Sequence, residues 1–246
     1  MADATDPSEP PQPTGPIVPA AERRAAAAVQ RLGAALLGHT ITPELSERVA
    51  TELERLVDQV ERTGDPRTKA DAFERYSGPH RIEHFRRTGQ WPAAAADGGE
   101  FSFDVLSFVG GRLNPIASGA RFWRDGDESV ASMTFGPTYE GPPTRVHGGM
   151  LAAAFDEVMG ALFVALGMPP AFTGTLSVRY QAGAPLGEPI EFRARLGGVD
   201  GRKTTVLAEA TASGTTLATA EAVFIQIPME MFEAMNGSGE AEAADS

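Results

Sequence analysis

Apolar side chains recur along this chain at two different intervals, and one long stretch follows neither. In the alanine-rich residues 20–37, Val29, Leu32, Leu36 and Leu37 fall at helical spacing. Leu45, Val49, Leu53, Leu56 and Val60 then form one stripe, three and four residues apart, which predicts a second amphipathic helix. Thr42-Pro43-Glu44 opens it with a cap oxygen, a proline where the helix can spare an N–H, and an acid in the first turn. Thr63-Gly64-Asp65-Pro66 closes it. Joined through residues 38–41, the pair reads as a helical hairpin over residues 20–62. Its stripes need a partner surface, and the domain that follows is the most economical one.

From Phe101 the interval shortens to two. Residues 112–124 and 129–135 flank the turn signal Asp125-Gly126-Asp127-Glu128 and predict a hairpin. Four more strands are predicted at residues 172–181, 189–196, 203–213 and 216–227, with short breaks that imply antiparallel neighbours. Between the two groups, residues 150–166 are apolar nearly all round, the mark of a helix buried in a core. Strands, one long apolar helix, then more strands describe an α+β domain over residues 101–230, its sheet wrapped around the helix. Residues 1–19 are proline-rich and poor in large apolar side chains, and residues 231–246 are small, polar and acidic; both read as disordered tails. Residues 63–100 read as a linker region.

The buried helix carries the chain's main conflict between pattern and polarity. Glycine and proline crowd the lead-in Tyr139-Glu140-Gly141-Pro142-Pro143-Thr144-Arg145-Val146, so the helix cannot begin before His147-Gly148-Gly149. Between Val146 and Phe172 the ionisable side chains are His147, Asp156 and Glu157. Burying a carboxylate costs free energy unless the group is paired or used. Asp156 stands about two turns past the glycines, beyond the reach of the helix dipole. Neighbouring helical residues point about 100° apart, so Asp156 and Glu157 cannot share a cavity, and one of them should reach solvent or a salt bridge.

Composition narrows the function. The net charge of −12 over 246 residues argues against nucleic-acid binding, which draws its affinity from a basic face. With no cysteine, disulfides, thiol nucleophiles and cysteine metal sites are excluded. No basic-then-apolar leader is evident, and the longest apolar run, broken by Gly160, Gly167 and two prolines, reads as too short to span a bilayer. The expectation is a soluble, cytoplasmic protein. His80 and His84 stand four apart, but no third ligand accompanies them and the zincin order is absent; no metal is expected.

Glu140-Gly-Pro-Pro, His147-Gly-Gly and an acid nine residues after the histidine resemble the hotdog-fold acyl-CoA thioesterases. The nearest branches are the phenylacetate-pathway and the long-chain acyl-CoA thioesterases. Thr173-Gly-Thr-Leu-Ser-Val-Arg-Tyr180 is similar to that family's strand with a Thr or Ser seven residues before a Tyr. The resemblance covers residues 114–228 and implies a six-stranded antiparallel sheet curled around a central helix. It also implies pairing with a second copy, with the active site at the dimer interface and no organic cofactor. Carried over, Gly148 would polarise the thioester carbonyl through its N–H and Asp156 would be general base or nucleophile. Thr173 would position the attacking water, and His147 would orient the loop or the thioester. Gly149, Met150, Phe155, Met159, Thr175 and Arg179 would contact the substrate, and Arg193, Arg195, Arg202 and Lys203 complete a basic cluster for CoA phosphates. Glu157 would be structural. A helix N-terminus offers unpaired N–H groups to a developing oxyanion, and glycine allows close approach, so the chemistry is consistent with the resemblance.

Two other readings compete. Enoyl-CoA hydratases also use hotdog domains, but with an Asp/His constellation in a longer overhanging segment that this chain lacks. A non-catalytic acyl- or protein-binding module would keep the pocket and lose turnover. CoA and carrier-protein thioesters are not distinguished, nor is a dimer from a dimer of dimers.

Overall fold

A computed structural model describes residues 19–66, 84–85 and 87–228. Both tails lie outside the described residues, except Pro19, as do residues 67–83 and 86 of the expected linker, including His80 of the histidine pair.

Two helices come first: α1 (Ala20–Gly38) and α2 (Pro43–Thr63). The Thr42 side chain accepts from the Leu45 N–H at 3.2 Å, so the sequence-level cap is present. Helix α1 is tethered by Gln30, whose Nε2 donates to the Asn114 and Ala117 carbonyls at 3.0 and 2.9 Å, and it buries Ala26. Helix α2 buries none of its residues. The expectation that the following domain covers its stripe is therefore corrected: among the described residues nothing covers it.

The strands are β1 (Glu100–Phe101), β2 (Ala120–Asp125), β3 (Glu128–Thr134), β4 (Ala171–Tyr180), β5 (Pro189–Asp200), β6 (Lys203–Ala212) and β7 (Thr215–Gln226). They form one antiparallel sheet in the order β1-β2-β3-β5-β6-β7-β4. The expected six strands are all present, and the two-residue β1 adds a seventh at the edge. Residues 112–119 do not join β2 as expected. Their bonds are local, with Leu113 N–H to Val105 O at 2.8 Å and Asn114 Nδ2 to Leu106 O at 3.2 Å, and such turns leave nothing for a ladder. Strand β5 runs past its expected end through Gly197 and Gly198, where a bulge absorbs the irregularity.

Helix α3 (Gly148–Ala165) lies against the sheet. It has the length and apolarity of a bilayer-crossing segment, and the sheet accounts for that character: Phe155, Val158, Met159 and Leu162 are completely buried. The strands facing it alternate as a half-buried sheet requires. Ile190, Phe192 and Ala194 of β5 point in, and Glu191, Arg193 and Arg195 alternate with them. The inward positions of β6 and β7 are mostly alanine (Ala208, Ala210, Ala212, Ala218, Ala220, Ala222). Small residues on the sheet admit large ones from the helix, which packs the layer densely. Phe155 and Phe192 meet edge to face at 5.3 Å, a favoured aromatic geometry.

Phe155 and Met159 are thus core residues in the single chain, where the sequence placed them along an acyl tunnel. Replacing Phe155 by Ala should lower unfolding free energy by about 3–5 kcal/mol in urea titration. A residue lining an open tunnel would leave the midpoint near that of the parent.

Candidate active site

The lead-in to α3 is a closed turn. The His147 N–H donates to Tyr139 O at 2.8 Å, Gly141 N–H to Arg145 O at 2.9 Å, and Thr144 N–H to the Glu140 carboxylate at 2.6 Å. A Cβ on Gly141 would sit 2.8 Å from His147 Cα, so only glycine lets the turn close on the histidine. Val146 N–H donates to Ala184 O at 2.9 Å, and the Tyr139 hydroxyl to Ile116 O at 2.7 Å, fixing the turn to its surroundings.

His147 is the N-cap of α3, with extended backbone and its Nδ1 accepting from the Gly149 N–H at 3.0 Å. An accepting Nδ1 carries no hydrogen, so the neutral ring keeps its proton on Nε2. Met150 and Leu151 donate to the His147 carbonyl. The Gly148 N–H, first in the helix, has no acceptor among the described residues. Its carbonyl receives the Tyr180 hydroxyl at 2.7 Å. Two side chains thus brace the glycine pair while one N–H is left free.

Asp156 is half-buried, and its Oδ1 accepts from Thr173 Oγ1 at 2.6 Å. Thr173 reaches the helix side because β4 bulges at Gly174: Thr173 pairs with the inward Phe224, while Thr175 pairs with Val223. A Cβ on Gly174 would meet Ile225 Cγ1 at 3.1 Å and Val223 O at 3.2 Å, contacts tight enough to favour glycine. The bulge puts Thr175 and Arg179, both expected to contact the substrate, on the face opposite Thr173. Arg179 lines an outer groove of about 520 Å³ with Arg193, Arg195 and three glutamates, Glu128, Glu209 and Glu221. Arg193 is engaged by Asp125, Glu128 and Glu191, each at 2.8 Å, so the expected phosphate cluster loses one of its cations.

Gly148, Gly149 and His147 therefore gather at the helix N-terminus, and Asp156 and Thr173 form a second pair. Met150 is buried beside the first group. Eight residues of helix separate Gly148 from Asp156, about 12 Å at 1.5 Å per residue. Tyr180, the end of the recognised strand pattern, was not singled out as a site residue. What showed it was its contact with Gly148, 32 residues away, which spacing cannot reveal.

Glu157 turns the other way, into the protein. Its Oε1 accepts from Ser107 Oγ at 2.5 Å and from the Gly110 N–H at 3.0 Å. The carboxyl that avoids the site thus finds neutral hydrogen-bond donors, and no salt bridge among the described residues. Burial pushes it up from the ordinary 4.5 to about 7, against the lowering effect of those two bonds.

Residues 144–219 match the family model of the thioesterase superfamily, from the turn before His147 into β7. A crystal structure of a thioesterase superfamily protein is 26% identical, over 88% of this chain and 98% of the other, with a TM-score of 0.67. A phenylacetic acid degradation-related protein from Ralstonia eutropha JMP134 is 24% identical over 44% of this chain and 85% of its own, with a TM-score of 0.41. A thioesterase superfamily protein from Shewanella loihica PV-4 is 24% identical over 45% and 92%, with a TM-score of 0.40. A sequence comparison with curated proteins finds no match.

The folded protein holds the Glu157 proton to higher pH than the unfolded chain does. Between about 4.5 and 7 this carboxyl therefore lowers stability as pH rises, and it adds no slope outside that window. Glu157→Gln keeps an acceptor for Ser107 and Gly110 and removes the titration. The parent should lose on the order of 3 kcal/mol relative to the variant across the window, read as diverging urea midpoints.

Proposed function

We propose that this chain, a hotdog-fold member of the thioesterase superfamily, hydrolyses acyl-CoA thioesters to a free carboxylic acid and CoA. The observation that carries the reading is the free Gly148 N–H at the start of α3, together with a carboxylate already bonded to a threonine on the same helix. Thioester hydrolysis needs a donor aimed at the developing oxyanion and a base for the attacking water. Both are present, but about 12 Å apart along one helix, too far to act on a single carbonyl. The site is then shared: Gly148 of one copy faces Asp156 of a second.

The edge strand β4 supplies a surface for that second copy. Among the described residues it pairs with β7 alone, and its Phe172 and Tyr180 are about half exposed. A long uncovered edge is a template for another chain.

In this reading Thr173 spends its hydrogen on Asp156 Oδ1, leaving its lone pairs to accept one hydrogen of a water. The other carboxylate oxygen takes the proton as the water oxygen bonds to the thioester carbon. Negative charge grows on the carbonyl oxygen and is met by the Gly148 N–H across the interface. The C–S bond then breaks, and the proton held by Asp156 passes to the departing sulfur. His147 and Tyr180 touch neither reacting atom; they hold the two glycines in place. Arg179, without an ion pair among the described residues, is a cation at the edge strand for a CoA phosphate.

Free-thiol release from short, long and aryl acyl-CoAs tests the activity, and since the chain has no cysteine every thiol detected is product. Turnover of at least one is expected. Silence across the panel with the dimer intact would favour carrier-protein substrates or a binding module. Asp156→Asn should lower kcat by about 10²-fold or more with folding intact, while Glu157→Gln stays active. Gly148→Pro deletes the N–H at the helical position where proline is best tolerated, after a His147 whose backbone is already extended. It should fold normally and lose about 10²–10³-fold in kcat.

A further inference from the structure

The stripe on α2 has a finer structure than helical amphipathicity requires. Ser46-Glu-Arg-Val49, Leu53-Glu-Arg-Leu56 and Val60-Glu-Arg-Thr63 repeat at intervals of seven. In heptad terms Ser46, Leu53 and Val60 occupy one seam position and Val49, Leu56 and Thr63 the other. The glutamates and arginines of each repeat fall outside the seam. A 3.5-residue seam is matched by a second helix with the same repeat, knob into hole, and by no flat sheet. Yet Leu53, Leu56 and Val60 are 36%, 46% and 68% exposed, and no described element covers them.

We propose that α2 pairs antiparallel with α2 of a second copy, forming a coiled-coil clasp across the dimer. The inference rests on the two-copy reading of the site. The occupant follows from self-complementarity. About a two-fold axis between Leu53 and Leu56, each leucine meets the other kind from the partner, and Val49 meets Val60. The terminal Ser46 meets Thr63. Glu52, the one charge bordering the seam, lies opposite Gln59 and escapes a like charge. Antiparallel helices also set their dipoles head to tail, which a parallel pair does not. The clasp would account for an apolar stripe that the described residues leave bare.

Cysteine placement in this cysteine-free chain tests the clasp directly. In the full chain, Val49→Cys with Val60→Cys should give an inter-copy disulfide dimer on mild oxidation. Neither single variant should, because each thiol then faces a valine. Leu53→Glu with Leu56→Glu should raise the dimer dissociation constant at least tenfold by sedimentation, and Thr51→Glu, off the seam, should not. Absence of the disulfide in the double variant, or linkage by either single variant, would overturn the clasp. So would a dissociation constant unmoved by the paired glutamates. Thiol release by the parent separates the two claims: turnover without cross-linking defeats the clasp alone, and cross-linking without turnover defeats the proposed activity alone.

Discussion

A helix that is apolar on every side must be wrapped, and the wrapping of α3 sets the position of everything else. The sheet closes on it because the inward residues of β6 and β7 are mostly alanines, leaving room for Phe155, Met159 and Leu162. Burial on this scale, at about 25 cal/mol per Å² of apolar surface, fixes the helix axis relative to β4. That in turn decides which atoms remain at the ends: a glycine pair where the helix enters the sheet, and a carboxylate beside the β4 bulge. Neither group could be moved without moving the core.

Two adjacent carboxylates on this helix meet opposite fates for the same geometric reason. Neighbouring helical residues diverge by about 100°, so Asp156 turns to Thr173 at the edge strand and Glu157 turns to Ser107 and Gly110 beneath the loop. Asp156 remains half-exposed beside the edge strand. Glu157 is held where ionisation is disfavoured, and its cost is the fixing of that loop, on which α1 and Tyr139 also depend through Asn114, Ile116 and Ala117.

Much of this was legible in the chain. Alternation and short breaks placed six strands, and an apolar run without periodicity placed α3 to within two residues at its start. The Gly-Pro lead-in announced a turn, and Gly141 shows why: a side chain there would strike His147. What escaped were features made by contact rather than by pattern. The bulge at Gly174 depends on the tight approach of Ile225 and Val223, and it sends Thr175 and Arg179 away from Thr173. The Tyr180 hydroxyl meets Gly148 only because the sheet edge passes the helix start. Residues 112–119 looked like a strand, since their local hydrogen bonds leave no mark on polarity. Likewise, the helical stripe of α2 was plain, but its lack of a cover among the described residues was not.

The central claim is that one helix start and one distant carboxylate, from different copies, form a single site. Mixing chains carrying Gly148→Pro with chains carrying Asp156→Asn, each inactive alone, measures it most directly. After subunit exchange, half the dimers hold one of each chain, and one of their two sites unites an intact Gly148 with an intact Asp156. Thiol release should then recover to about a quarter of the parent rate under random pairing. A mixture whose dimers exchange and yet stay inactive would place both groups in one chain's site and contradict the account.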